Sequence, residues 1–123
     1  AIHSGREIAI CGDGTQTRSS TYISDVIDGI LKVLEKRPRN ETFNLGSWEP
    51  QRSVLEVISM LSSLMNDAPY AFRHCPAREG EQMDAQATIS KIATATGWMP
   101  QVNLEQGLSS EIEWFQKEIW SKR

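Results

Sequence analysis

The sequence predicts an α/β fold on three observations. Short β-prone runs stopped by glycine or proline alternate with amphipathic helical stretches along the chain. An apolar fraction of 39% and a charged fraction of 24% suit a soluble globular domain better than a disordered segment. At 123 residues, the chain fits one domain, 1–123, able to bury a core without staples.

The elements follow in order. Ala1-Ile2-His3-Ser4-Gly5 reads as the tail of an earlier helix running into a turn; with no initiator Met, the chain is read as a fragment. Glu7–Cys11 is β-prone and stopped by Gly12-Asp13-Gly14, so it reads as a strand entering a turn. Thr21-Tyr22-Ile23 reads as a second strand. Ser24 then caps a helix through Leu34, with Asp25 at the positive end of its dipole and a buried stripe of Ile27, Ile30, Leu31 and Leu34. Lys36-Arg37-Pro38-Arg39-Asn40 ends that helix as an exposed loop.

Thr42–Leu45 reads as a third strand, closed by Gly46. Ser53 and Glu56 form a capping box ahead of a helix whose stripe is Val54, Val57, Ile58, Leu61 and Met65. Tyr70–His74 is a further strand, and the polar segment from Pro76 to Asp84 is a loop. Thr88 is placed to cap a short helix that stops at Gly97, with Pro100 beyond it. The last helix starts at Asn103, answered by Gln106, and carries Leu104, Leu108, Ile112, Phe115 and Ile119 on one face.

Charge and composition exclude several classes. A net charge of −3 argues against broad binding to a nucleic-acid backbone, which wants a basic face. No apolar run reaches the roughly 20 residues that span a bilayer, and no charged-then-apolar leader opens the chain. Cys11 and Cys75 show no C-x-x-C and no metal spacing; their ordinary reading is buried, reduced thiols of a cytoplasmic protein, with a disulfide left open.

Catalytic and cofactor motifs fail one after another. Gly12-x-Gly14 lacks the third glycine of a dinucleotide fingerprint and leads into a strand, not a helix. No Gly-Lys-Ser/Thr loop is present. A Tyr-x-x-x-Lys acid–base unit would need Lys four residues after Tyr22 or Tyr70, where Val26 and His74 stand. His3 and His74 have no Gly-x-Ser-x-Gly elbow beside them and read as structural. Glu79, Glu81 and Asp84 read as solvated carboxylates, with no metal assigned. Catalytic, metal and cofactor residues are therefore expected to be none in this chain.

Two arginines remain. Arg18 closes the glycine-pinned loop, and Arg78 lies in Pro76-Ala77-Arg78-Glu79-Gly80-Glu81. A guanidinium keeps its proton near neutral pH, so it grips anions and does not transfer protons. Two convergent forks suit a diphosphate.

A family resemblance joins these pieces. Gly12-Asp13-Gly14-Thr15-Gln16-Thr17-Arg18 followed by Thr21-Tyr22-Ile23-Ser24-Asp25-Val26 resembles the G-D-G-x-Q-x-R-D-F-x-Y-V-x-D-V segment of nucleotide-sugar epimerases and dehydratases, the extended short-chain dehydrogenases. Glu41–Ser47 is similar to the family's E-x-F-N-x-G, Arg78-Glu79-Gly80-Glu81 to R-x-G-[DE], and Ser90-Lys91 to S-K. Gly97-Trp98-Met99-Pro100 and Leu104-Glu105-Gln106-Gly107-Leu108 with Ile112-Glu113-Trp114-Phe115 complete the order. Three positions depart. The family's Arg-Asp-Phe is Arg18-Ser19-Ser20 here, which removes both the carboxylate beside the arginine and the aromatic after it, and its Ala-Asp is Ala87-Thr88.

The resemblance implies the small C-terminal substrate-binding domain of an NAD-dependent enzyme similar to UDP-glucose or UDP-glucuronate 4-epimerases. NAD and the Tyr-x-x-x-Lys pair would belong to a Rossmann half absent from this sequence. Arg18 and Arg78 would hold the diphosphate of a UDP- or dTDP-sugar, Glu81 would lie near the ribose, and Asn44 would approach the phosphates. The expected partners are a nucleotide-sugar and either a Rossmann half or a second copy on an exposed face, without nucleic acid or membrane. The alternative expectation is a stand-alone interaction or oligomerisation module without ligand.

Overall fold

The computed structural model describes residues 1–122. A short 3-10 turn, Ile2–Ser4, precedes strands β1 (Ile8–Cys11) and β2 (Thr17–Arg18) and helix α1 (Ile23–Lys36). Strand β3 (Arg52–Ser53) runs into helix α2 (Val54–Leu64), followed by β4 (Phe72–Cys75) and β5 (Asp84–Ala85). Helices α3 (Ser90–Thr96) and α4 (Leu104–Glu118) and a 3-10 turn at Trp120–Lys122 close the chain. Strands and helices alternate, so the α/β class holds. The chain forms two compact units, one of residues 1–18, 52–85 and 108–123, the other of 19–51 and 86–107.

The first unit carries all five strands. β1 and β4 pair in parallel, with Ile8 opposite Phe72 and Cys11 opposite Cys75. β2 is flanked by β3 antiparallel and β5 parallel, in the order β3-β2-β5. Ile10, Ile58 and Ile112 are its buried hydrophobic residues. Helix α2 starts as its sequence dictates: Ser53 Oγ accepts from the Glu56 N–H at 3.2 Å, and Glu56 Oε2 accepts from the Ser53 N–H at 2.7 Å. That reciprocal pair satisfies two N–H groups the helix cannot pair internally.

In the second unit, Trp98 and Ile92 are fully buried. Trp98 donates from Nε1 to the Asp25 carbonyl at 3.0 Å. Asp25 is itself buried and accepts the N–H groups of Gln101 and Val102 on Oδ2, at 3.0 and 2.9 Å. It therefore ties α1 to the segment after Trp98, beyond the dipole role its position suggests. Gly29 permits this packing, because a Cβ there would strike the Leu45 side chain and lie 3.0 Å from the Trp98 ring. The start of α4 repeats the box logic, with Gln106 N–H on Asn103 Oδ1 at 2.8 Å and Asn103 N–H on Gln106 Oε1 at 3.1 Å.

Several sequence expectations are corrected. Thr21–Ile23 is not a strand; the paired residues are Thr17–Arg18, and the Tyr22 carbonyl already accepts the Asp25 and Val26 N–H groups of α1. Ser24 does not cap, because the helix starts one residue before it, at Ile23. Thr88 stands two residues before α3 and does not cap it either. Thr42–Leu45 pairs with no strand among the described residues, and its side chains pack on helices instead: Leu45 towards Gly29 of α1, and Phe43 under Lys91 Nζ of α3 at 5.1 Å.

The largest correction concerns α1. Its expected buried stripe is exposed, at 51% for Ile27, 47% for Ile30, 52% for Leu31 and 63% for Leu34, and Ile23 joins it at 61%. The buried side of the helix is the small and polar one, Asp25 and Gly29. No helix among the described residues is long and apolar enough to cross a membrane.

Candidate anion-binding site

The loop between β1 and β2 is built around two glycines and an aspartate. Gly12 and Gly14 adopt φ of +74° and +80°, a region where a Cβ clashes with the backbone. A Cβ on Gly14 would also lie 2.8 Å from the Leu55 side chain. Asp13 Oδ1 accepts from Thr15 Oγ1 at 2.7 Å and from the Thr15 N–H at 2.9 Å. The Thr15 hydroxyl bond, with the backbone bond second, holds the exposed Asp13 carboxyl below its ordinary value of 3.8. Gln16 is buried and donates from Nε2 to the Cys11 carbonyl at 2.9 Å.

This scaffold delivers Arg18 at the middle strand of its sheet. Thr17 anchors the register, its N–H on the Met83 carbonyl at 2.7 Å and its hydroxyl on Asp84 Oδ1 at 2.5 Å. Arg18 Nη1 donates to the carbonyls of Thr17 at 2.7 Å and Met83 at 3.3 Å. Its Nη2 lies 3.9 Å from Glu81 Oε1. The head is thus steered by two carbonyls and one carboxylate while the side chain stays 41% exposed.

Glu81 links this arginine to the second one. Its N–H closes a turn on the Arg78 carbonyl at 3.2 Å, with Gly80 at φ +73° inside the turn. The Arg78 side chain is exposed and makes no hydrogen bond or ion pair among the described residues. Arg18, Arg78 and Glu81 therefore belong to one unit, two of them in contact and the third in the same turn. Asn44 lies exposed in the other unit. That unit holds an open groove of about 480 Å³ lined by residues including Phe43, Glu41 and Lys91, where Lys91 Nζ meets Glu41 Oε2 at 2.7 Å.

Other candidates acquire structural roles. His74 Nδ1 lies 2.8 Å from the Gly12 carbonyl, and the His3 ring stacks on Trp120 with centroids 3.9 Å apart. No group of three or more metal-ligating side chains is found among the described residues. Ser19, already marked by the sequence as the departure beside Arg18, buries its Oγ without a hydrogen-bond partner among the described residues. The cysteines are corrected as well: both are half-exposed, and the sheet sets them side by side.

The glycine loop does not fit a dinucleotide. It runs into β2 where a helix N-terminus would be needed, and the space over Gly14 is filled by Leu55 and Ile10. The donor set at Arg18 and Arg78 is suited to a small anion.

The architecture is shared with solved nucleotide-sugar enzymes. UDP-glucuronic acid 4-epimerase from Bacillus cereus, solved with UDP-glucuronic acid and NAD, superposes with a TM-score of 0.87 at 33% identity, over 94% of this chain and 37% of that one. UDP-glucose 4-epimerase from Thermotoga maritima, solved with UDP-glucose, gives 0.83 at 31% identity, over 94% and 37%. A UDP-N-acetyl-alpha-D-glucosaminuronate decarboxylase from Bacillus cytotoxicus is 27% identical over 125 residues, 92% of this chain and 36% of that protein. The molecule is thus an α/β partial domain of the kind found in nucleotide-sugar epimerases. Residues 1–46 match the model of the NAD dependent epimerase/dehydratase family, and the chain spans little more than a third of the length of the relatives it matches.

Proposed function

We propose that this chain is the nucleotide-sugar-binding part of an NAD-dependent epimerase or dehydratase and is not catalytic by itself. Arg18 and Arg78 grip the diphosphate of a UDP- or dTDP-sugar, and Glu81 faces the nucleotide ribose. The observation that carries this reading is the Arg18–Glu81 contact, which brings the two arginine-bearing loops together in one unit. Fixed guanidinium forks recognise phosphate oxygens in pairs and need no proton transfer to do so. NAD and the acid–base pair come from a Rossmann half outside this sequence, and the reading includes a cytoplasmic setting. Calorimetry with UDP and UDP-glucose tests it. Millimolar or tighter binding lost in Arg78→Ala is the expected result, and turnover of a UDP-sugar by this chain alone would contradict it.

A second reading rests on α1. Ile23, Ile27, Ile30, Leu31 and Leu34 form one exposed apolar face, a surface that associates with a protein partner. In the first reading the Rossmann half covers this face; in the second, a second copy does, and the chain is an oligomerisation module without ligand. Sedimentation of the chain at rising concentration separates them, since a stable dimer that takes up no UDP favours the second alone.

A further inference from the structure

The sheet places Cys11 and Cys75 directly opposite one another, at the ends of two parallel strands. Directly paired residues of neighbouring strands point to the same face. Adjacent strands stand about 4.8 Å apart, inside the Cα separation of roughly 4.4–6.8 Å that a disulfide bridges. Both thiols are half-exposed, so a small reagent reaches them. Their neighbours on that face are informative. Arg73 spans it, with Nε 3.1 Å from Glu7 Oε2 and Nη1 donating to Cys75 Sγ at 2.9 Å. A fixed cation therefore stands against one sulfur of the pair.

We propose that Cys11 and Cys75 form a redox-active dithiol that closes to an intramolecular disulfide by exchange with a low-molecular-weight disulfide such as oxidised glutathione. The Cys75 sulfur, as thiolate, attacks one sulfur of the reagent, forming a mixed disulfide and releasing one glutathione thiolate. The Cys11 thiolate then attacks Cys75 Sγ, forming the Cys11–Cys75 bond and releasing the second glutathione. The protein loses two protons and two electrons, and the reagent gains both pairs as two thiols. The bond lies at the root of both arginine loops. The Cys75 carbonyl already holds the Gly12 N–H at 3.0 Å, and Arg78 follows Cys75 by three residues.

Intact-mass measurement and thiol counting on the whole chain, reduced and then exposed to oxidised glutathione, decide the matter. The expected result is loss of both free thiols and of two hydrogens in mass, with no retained glutathione and full reversal by dithiothreitol. Cys11→Ser, checked for folding by circular dichroism, keeps one glutathione on Cys75 and acquires it faster than Cys75→Ser does on Cys11. Two retained glutathiones in the unaltered chain, or disulfide-linked dimers in place of the internal bond, would overturn the proposal. Faster reaction at Cys11 would overturn the assignment of Cys75 as the attacking sulfur.

Discussion

Helices α1 and α2 carry equally legible apolar stripes, and the fold uses them differently. On α2, Ile58 is buried and Val54, Val57 and Leu61 are half-buried. On α1, five large aliphatic side chains stand between 47% and 63% exposed, and the helix packs through Asp25 and Gly29 instead. Periodicity identifies which face of a helix is apolar. It does not identify what covers that face, and for α1 the described residues supply no cover. The apolar face of α1 and the face through which it packs are thus opposite sides of one helix.

The contrast can be broken by substitution, most forcefully on the side of α1 that is packed. Trp98→Ala removes the ring against Gly29 and its bond to the Asp25 carbonyl, and costs about 4 kcal/mol in urea unfolding by the range for buried aromatics. Ile58→Ala on α2 costs about 3 kcal/mol for a buried aliphatic side chain. Ile27→Lys on the open face of α1 changes stability by no more than about 0.5 kcal/mol. It also weakens any self-association seen by sedimentation. A loss as large as that of Ile58→Ala would show that the stripe is covered within this chain.

The caps contribute less than the buried side chains. Ser53→Ala costs about 1 kcal/mol by removing the side-chain acceptor at the start of α2. The Ser53 backbone bond, with its hydroxyl second, holds the Glu56 carboxyl below its ordinary 4.5, as Thr15 does for Asp13 below 3.8. A carboxyl lowered in the fold stabilises it fully above the unfolded value and stops doing so as pH falls through the folded value. Urea midpoints should therefore hold steady down to about pH 5 and fall below it, less steeply in Glu56→Gln. No change of slope between the two proteins would remove Glu56 from the account.

Local chemistry was legible and non-local pairing was not. The Ser53–Glu56 and Asn103–Gln106 boxes, the stop at Gly97 and the β1 run could be read because each depends on residues within one turn. Thr17–Arg18 escaped notice because a two-residue strand has no period, and its identity comes from Ser53 and Asp84 far along the chain. Ser24 and Thr88 are good capping residues that the helices start too early or too late to use. At the candidate site, Arg18 and Arg78 were found by residue type and resemblance. The contact through Glu81 and the pairing of Cys11 with Cys75 needed the fold, since register lies outside what spacing reveals.

The proposal that both arginines grip one diphosphate is tested most directly by their guanidinium Nε–H resonances during titration with UDP-glucose. The account predicts that the Arg18 and Arg78 signals move together along a single binding curve, and that pyrophosphate alone moves both. Saturation that shifts neither signal, or only one of them, would contradict it.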